Sequence, residues 1–155
     1  MKVAVGSDHA GLPAKLRAVE TLKQLGCEVE DVGTNGDASC DYPDYAVEVA
    51  HRVATRRADL GVLCCGTGIG MSITANKVPG IRAALCHSDF TAEMARRHND
   101  ANVLCFGGRV LDERMIDQVV RRFVGTPFDG GRHTRRLRKI ADLERLLPPP
   151  PPEGH

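Results

Sequence analysis

Residues 60–72 read L-G-V-L-C-C-G-T-G-I-G-M-S, an apolar run that ends in two cysteines and a glycine-rich loop. An almost wholly apolar run of this length is typical of a parallel strand covered by helices on both faces. The two cysteines could be core residues, metal ligands, half of a disulfide or a nucleophile. Because side chains alternate along a strand, Cys64 and Cys65 must point to opposite faces, so only one of them can face a site.

Other β-rich runs flank this strand along the chain, and helix-length segments separate them. The predicted strands are 2–6, 27–32, 59–65, 81–86 and 102–106. The predicted helices are 12–25, 42–57, 70–76, 89–98 and 112–124, from apolar residues at helical spacing. In the first helix these apolar residues are Leu12, Leu16, Val19, Leu22 and Leu25. Such alternation predicts an α/β fold built from right-handed βαβ units around a five-stranded, mainly parallel sheet.

The length of 155 residues predicts a single domain, which we place at residues 1–147. After Phe123 the pattern changes: G-T-P-F-D-G-G (125–131) predicts a linker, and 134–147 predicts a helix with a leucine stripe. This helix has no place in the alternating units, so we expect it to pack across the sheet or onto a partner subunit. The tail P-P-P-P-P-E-G-H (148–155) predicts a disordered polyproline segment.

Composition excludes several classes of function. The net charge of +1 gives no general attraction to nucleic acid or membrane, and the absence of Trp argues against base stacking. No apolar run approaches the roughly 18–20 residues of a membrane span, and no signal peptide is evident. The six cysteines form no C-x-x-C pair, which predicts reduced thiols in the cytoplasm, mostly in the core, and no zinc site.

Ligands of open parallel sheets bind beyond the carboxyl ends of the strands. That rule selects G-S-D-H-A-G (6–11), C-G-T-G-I-G (65–70) and the segment after Asp89 that leads to R-R-H-N-D (96–100). The glycine loop matches neither a Walker motif nor a dinucleotide fingerprint. It could direct backbone N–H groups at an anion, or it could be a tight structural turn. Cys65, held beside these groups, could act as a thiolate base or nucleophile.

Polar residues at the other two places have a functional and a structural interpretation. Asp8 and His9 follow the first strand, where His9 could bind an anion or transfer a proton; a capping Asp beside a surface His would look the same. His98 and Asn99 end a predicted helix and lead into the last strand, although a solvated helix end has a similar sequence.

Three arginines complete the pattern. Arg109 lies just past the last strand, and Arg132 and Arg136 share one helix face if that helix begins at 132. Guanidinium groups suit phosphate, but the residues could equally form an exposed charged face; the run is too short to predict a nucleic-acid site. Together a thiol, amide donors, two histidines and three arginines indicate a site for a small phosphorylated compound that undergoes proton transfer.

The motifs resemble a sugar-phosphate isomerase family that includes type B ribose-5-phosphate isomerases and galactose-6-phosphate isomerase subunits. The resemblance spans roughly residues 3–145 and rests on these stretches: G-S-D-H-A-G (6–11), D-Y-P-D-Y-A (41–46), C-G-T-G-I-G-M-S-I-T-A-N-K (65–77), R-H-N-D-A-N-V-L (97–104), F-G-G-R (106–109) and G-G-R-H (130–133). It implies a Rossmann-like three-layer α/β/α sandwich and a homodimer, with a tetramer left open. It also implies aldose–ketose isomerisation without metal or cofactor.

The resemblance also implies roles for individual residues. Cys65 is similar to the base that moves a proton between C1 and C2, and Thr67 would orient or assist it. Some family members use a Glu a few residues further on, where this chain reads M-S-I-T (71–74). His98 resembles the residue that opens the furanose ring, and Asp8 would bind sugar hydroxyls or the ring oxygen.

The remaining implied roles concern charge and shape. The enediolate would be stabilised by Gly66, Gly68, Gly70 and Asn99. The phosphate would be bound by His9, Arg109, Arg132 and Arg136, the last two donated by the partner subunit, and Tyr42 would line the sugar pocket.

The leading hypothesis is an isomerase that interconverts ribose 5-phosphate and ribulose 5-phosphate. A second hypothesis keeps the chemistry and changes the sugar to allose 6-phosphate, galactose 6-phosphate or erythrulose 4-phosphate. A third is a non-catalytic sugar-phosphate sensor, which would be expected to lack the base, whereas Cys65 is present.

Overall fold

The computed structural model describes residues 1–146, so the expectations for Leu147 and for the tail 148–155 lie outside the described residues. The strands are β1 (Lys2–Ser7), β2 (Glu28–Asp31), β3 (Leu60–Cys65), β4 (Ala83–Leu85) and β5 (Val103–Gly107). The helices are α1 (Leu12–Gln24), α2 (Tyr42–Ala54), α3 (Ile69–Ala75), α4 (Asp89–Asn99), α5 (Glu113–Gly125) and α6 (Arg132–Leu146). A short 3-10 turn, His9–Gly11, joins β1 to α1.

The five strands form one parallel sheet in the order β2-β1-β3-β5-β4. Helices α1, α4 and α5 pack on one face and α2 and α3 on the other, which gives three layers with a separate apolar core on each side. The predicted α/β architecture is therefore confirmed. The chain leaves β1 in one direction to form β2 and in the other to form β3, so a crevice opens between the carboxyl ends of β1 and β3.

Strand β3 lies at the centre of the sheet and all six of its residues are buried. Cys64 belongs to the core under α1, α4 and α5, whereas Cys65 belongs to the core under α2 and α3. Burial raises the pKa of the Cys64 thiol well above its ordinary value, so this side chain is a neutral core residue. All six cysteines are free thiols, and the predicted separation of Cys64 from Cys65 is confirmed.

Helix α1 begins at the predicted residue and ends one residue before the predicted bound of 12–25, but its buried face differs from the predicted row of apolar residues. Leu16 is 55% exposed and Leu25 is 39% exposed, whereas Ala14 and Ala18 are buried with Leu22. Small alanines allow α1 to lie close to the sheet and to α5, which it contacts along its length. The prediction from leucine spacing was wrong here because close packing selected small side chains.

Lys15 lies on the buried face of α1, and its side chain is fully buried. Its Nζ donates to the Asp31 carboxylate at 2.8 Å, to the Thr34 carbonyl at 2.7 Å and to Asn35 Oδ1 at 3.0 Å. The charge is therefore compensated by three oxygens from the end of β2 and the loop that follows. This contact ties α1 to the chain segment that leads into α2.

Helix α6 begins at Arg132, as the shared face of Arg132 and Arg136 requires, and packs mainly against α4. Its apolar stripe stays largely uncovered, with Ile140 44%, Leu143 54% and Leu146 75% exposed. Within residues 1–146, every helix is too short or too polar to cross a membrane.

We predict that Lys15→Met lowers the free energy of unfolding by about 2–4 kcal/mol, because three oxygens lose a charged donor inside the fold. Urea unfolding followed by circular dichroism measures the loss. The control is Lys23→Met on the same helix, where the side chain is exposed, and a shift of no more than about 0.5 kcal/mol is expected. Equal losses in the two variants would show that Lys15 contributes no more than a surface lysine.

Candidate active site

A cleft of about 540 Å³ opens at the carboxyl edge of the sheet, at the crevice between β1 and β3. It is lined by residues that follow β1, by the loop after β3, by the start of α2 and α3 and by the segment after β5. Its polar and charged lining includes Asp8, His9, Tyr42, Cys65, Thr67 and Arg109. Eight of the predicted site residues, these six with Gly66 and Gly70, therefore share one cleft.

Cys65 forms the floor of the cleft and is 5% exposed. Its Sγ accepts a hydrogen bond from the Gly68 N–H group, with 3.0 Å between nitrogen and sulfur. The backbone at Gly68 is left-handed, with φ of 79°, and a Cβ there would lie 2.7 Å from the Phe106 carbonyl carbon. Only glycine fits, and the N–H bond it supplies is stronger to a thiolate than to a thiol.

The segment after β5 holds the glycine loop from behind. The Gly108 N–H donates to the Cys65 carbonyl at 2.8 Å, and the Arg109 N–H donates to the Gly66 carbonyl at 3.1 Å. A Cβ at Gly66 would lie 3.3 Å from Arg109 Nη1, so the guanidinium group lies over the loop. Arg109 is exposed and gives the cleft its cation.

The residues after β1 combine structural and site contacts. Asp8 is 7% exposed, and its Oδ1 accepts from the Gly11 N–H at 2.9 Å, which caps the 3-10 turn. The capping interpretation of Asp8 is thus confirmed, and the same residue also lines the cleft. His9 Nδ1 accepts from the Cys40 N–H at 3.2 Å, so the proton of a neutral His9 ring must be on Nε2.

Tyr42, at the start of α2, forms a side wall of the cleft. A Cβ at Gly70 would lie 2.6 Å from the Tyr42 ring, so the absence of a side chain at Gly70 lets the ring pack on α3. Another part of the wall, on α3, is apolar, with Ile69 50% exposed and Ile73 57% exposed.

His98 and Asn99 do not lie at this cleft, and the prediction that they share its edge was wrong. They end α4, which runs back across the sheet towards the start of β5. The Asn99 carbonyl accepts from Arg82 Nε at 3.0 Å, and Arg82 lies just before β4. His98 and Asn99 therefore lie at the amino edge of the sheet. Helix α4 spans about 16 Å at 1.5 Å per residue, which separates this edge from the cleft.

Arg132 and Arg136 also lie away from the cleft, close to His98. The His133 ring stacks on the His98 ring with 4.4 Å between centroids and an angle of 9° between the planes. The charges of Arg132 and Arg136 act on His133, whose pKa is lowered first by burial and then by His98 and these arginines. One chain thus carries two separate groups of predicted site residues, the cleft and this cationic cluster.

Sequence reasoning missed three contacts of the site. Cys40 received no individual role from the sequence, yet its N–H group orients His9. His87 Nε2 lies 3.3 Å from the Thr67 carbonyl, which links the loop after β4 to the glycine loop. His133 was part of a quoted motif but received no role. Backbone-mediated contacts such as that of Cys40 leave no sequence signal, whereas the two histidines beside predicted site segments did offer one.

Over residues 1–146, no three His, Cys, Asp or Glu side chains are close enough together to hold a metal ion. The chemistry that the cleft offers comes from the thiol, the N–H donors of the loop, the Asp8 carboxylate and the Arg109 guanidinium group. These groups can accept a proton, stabilise an oxyanion and bind a charged ligand. The fold and the cleft together define an α/β enzyme with a cysteine at the floor of a polar site.

Comparison with known proteins assigns this enzyme to a family. The model of the Ribose/Galactose Isomerase family matches residues 3–140, and the chain belongs to that family of sugar-phosphate isomerases. Ribose-5-phosphate isomerase B of Escherichia coli (strain K12) is 44% identical over 144 residues, which cover 93% of this chain and 97% of the relative.

Solved structures agree. Ribose-5-phosphate isomerase B of Clostridium thermocellum matches with a TM-score of 0.92 and 46% identity, over 94% of this chain and 98% of that chain. The Mycoplasma genitalium enzyme, solved with bound ribulose-5-phosphate, matches with a TM-score of 0.90 and 43% identity, over 94% of this chain and 97% of that chain. The resemblance noted from sequence motifs is therefore confirmed.

We predict that Cys65→Ser lowers kcat for sugar-phosphate isomerisation on the order of 10²–10⁴-fold, because a serine hydroxyl stays protonated at neutral pH, whereas a thiol can ionise to the thiolate that acts as the base. Binding of a phosphorylated competitive inhibitor should stay within a few-fold. Cys64→Ala is the matched control; it should keep kcat and lose only stability, on the order of 1 kcal/mol. Comparable loss of kcat in both variants would remove Cys65 from the chemistry.

Proposed function

We propose that the enzyme interconverts D-ribose 5-phosphate and D-ribulose 5-phosphate through an enediolate, with Cys65 as the base. The observation that carries the proposal is the Cys65 sulfur, 3.0 Å from the Gly68 N–H, at the floor of a cleft bordered by Asp8, His9 and Arg109. The names of the relatives support the substrate: the Escherichia coli protein is a ribose-5-phosphate isomerase, and the Mycoplasma genitalium structure contains ribulose-5-phosphate.

The isomerisation is a proton transfer between two carbons. The Cys65 thiolate takes the proton from C2 of the open-chain aldose, and the electron pair moves to O1 to give the enediolate. The thiol returns the proton at C1 while a proton passes from O2 to O1, so atoms and charge balance. The Thr67 hydroxyl is suited to bind these oxygens, since its Oγ1 accepts from the Ile69 N–H at 3.3 Å and keeps its own O–H free to donate.

The N–H groups of the glycine loop stabilise the charge that develops on O1. A donor aimed at such an oxyanion typically contributes about 3–4 kcal/mol to the transition state. The loop is fixed by the bonds from Gly108 and Arg109, so its donors need no reorganisation during the reaction.

The phosphate lies at the other end of the sugar, against His9 and Arg109. His9 can donate from Nε2, because its Nδ1 accepts from the Cys40 N–H. Arg109 offers a charged fork, which binds phosphate oxygens in pairs. Binding energy at the phosphate holds the reacting carbons against Cys65 without contacting them.

A second copy of the chain completes the site in this proposal. The cleft lacks His98, Asn99, Arg132 and Arg136, which lie on the cationic cluster at the other edge of the sheet. Two uncovered apolar surfaces support association: Ile69 and Ile73 at the cleft wall, and the stripe of α6 that includes Ile140 and Leu143. A two-fold dimer brings the cluster of each subunit to the cleft of the other.

The cluster then opens the sugar ring. His98 gives a proton to the ring oxygen O4 as the C1–O4 bond breaks, and the proton lost from the O1 hydroxyl restores the imidazole. Asp8 binds the sugar hydroxyls, and Arg132 and Arg136 join His9 and Arg109 at the phosphate. Asn99 lies beside His98 and adds an amide donor for the enediolate.

We predict the highest kcat/KM for ribose 5-phosphate in a side-by-side assay with allose 6-phosphate, galactose 6-phosphate and erythrulose 4-phosphate. One carbon more or less displaces C1 and C2 from Cys65 once the phosphate is bound, and misplacement costs on the order of 100-fold. If the enzyme turns over a hexose or tetrose phosphate but shows a negligible rate on ribose 5-phosphate, that other sugar phosphate is the substrate.

We predict that two inactive chains, Cys65→Ala and Arg136→Ala, recover activity when mixed through unfolding and refolding. Half of the dimers formed at random are heterodimers, and each has one intact site, so about a quarter of wild-type activity returns. The control mixture of Arg132→Ala with Arg136→Ala repairs no site and should stay inactive. Absence of recovery in confirmed heterodimers would contradict the shared site.

A further inference from the structure

The His98 ring is held by a single kind of contact. It lies in the last turn of α4, half-buried, and no hydrogen bond to its side chain is found within residues 1–146. The His133 ring covers one face of it in a near-parallel stack, 4.4 Å between centroids. His133 is itself 6% exposed, so it is fixed by packing and can in turn fix His98.

The chain between α5 and α6 is built to bring His133 to this position. The Asp129 N–H donates to the Arg97 carbonyl at 3.0 Å, and the Asp129 carboxylate accepts from Arg97 Nε at 3.1 Å. Gly130 and Gly131 follow in the left-handed region, with φ of 65° and 55°, and turn the chain directly into α6. The linker is thus clamped to α4 one residue before His98, and His133 enters on the first turn of α6.

The surroundings favour a neutral His133. Its pKa is lowered by burial, then by His98 and by the charges of Arg132 and Arg136, against a smaller opposing effect of Asp129. Two imidazolium rings stacked at this distance would repel each other. Burial and this repulsion both oppose a charged ring at His133, whose pKa is lowered.

We propose that His133 is a positioning residue that acts through His98, holding the imidazole in the orientation from which it opens the sugar ring in the partner's cleft. This inference rests on the proposed function, in which His98 is the ring-opening group. His133 makes the ring of His98 rigid, but it transfers no proton and contacts no substrate atom itself.

The two directions of the reaction separate this role from a general loss of activity. Ribose 5-phosphate is largely a closed furanose and needs ring opening. Ribulose 5-phosphate has no furanose form, because its 5-hydroxyl carries the phosphate, so it reaches Cys65 as an open chain. At saturating substrate, a defect in ring opening therefore lowers kcat from the aldose, whose closed form occupies the site, and spares kcat from the ketose.

The experiment compares His133→Ala with His133→Phe in the dimeric enzyme, using both substrates. His133→Ala is expected to lower kcat from ribose 5-phosphate at least 10-fold while the rate from ribulose 5-phosphate stays within about threefold, as an effect on one step predicts. His133→Phe restores the aldose rate to within about threefold, since a phenyl ring keeps the stack. Should the Ala variant fail to fold, His133→Gln replaces it in the same comparison.

Each other outcome overturns the proposal. An equal fall of the rates from both substrates would make His133 a phosphate-binding or structural residue. An unchanged rate from ribose 5-phosphate would show that the stack of His133 on His98 has no role in ring opening. Failure of the proposed function looks different: wild-type enzyme would then not turn over the pentoses, or His98→Ala would slow both directions equally. If His98→Ala slows only the reaction from ribose 5-phosphate, the role of His98 in the proposed function holds. The His133 variants then test only the positioning role of His133.

Discussion

The Gly68 N–H group lies 3.0 Å from the Cys65 sulfur, and much of the surrounding structure serves to keep it there. The left-handed backbone at Gly68 aims the donor inward, and Phe106 of β5 leaves no room for a side chain. The segment after β5 holds the loop from behind through Gly108 and Arg109. Dipoles that are fixed in this way can stabilise negative charge that develops beside them without reorganising.

The direction of the connecting helices explains why the predicted site residues lie in two separate places. In a parallel sheet, a helix that follows a strand begins at the carboxyl edge and ends at the amino edge. Residues at strand ends, such as Asp8 and Cys65, therefore collect at the cleft, while a helix end such as His98 collects at the opposite edge. The same geometry makes the amino edge, where α6 also lies, the natural surface from which one chain can serve another.

The parts of the structure that follow from local rules were predictable. Alternation along β3 separated Cys64 from Cys65, and the strand-end rule located the cleft. The error over His98 came from treating a helix end as a strand end, although the strand–helix alternation already implied the opposite edge. The buried face of α1 could not be predicted from local rules. Leucine spacing predicted that Leu16 is buried, and only the close packing of α5 explains why alanines are buried instead.

The adjacent cysteines of β3 have a consequence for strand alignment. A shift of one position along neighbouring strands exchanges the two faces of a strand, and polarity usually opposes the exchange. Here both positions are the same residue type inside a wholly apolar strand, so polarity does not distinguish them. The shape of the strand does distinguish the two faces. A Cβ at Gly61 would lie 2.7 Å from the Val49 side chain, so α2 accepts only glycine at this point of β3. One missing side chain, four residues upstream, thus selects which of the two adjacent thiols lies at the cleft.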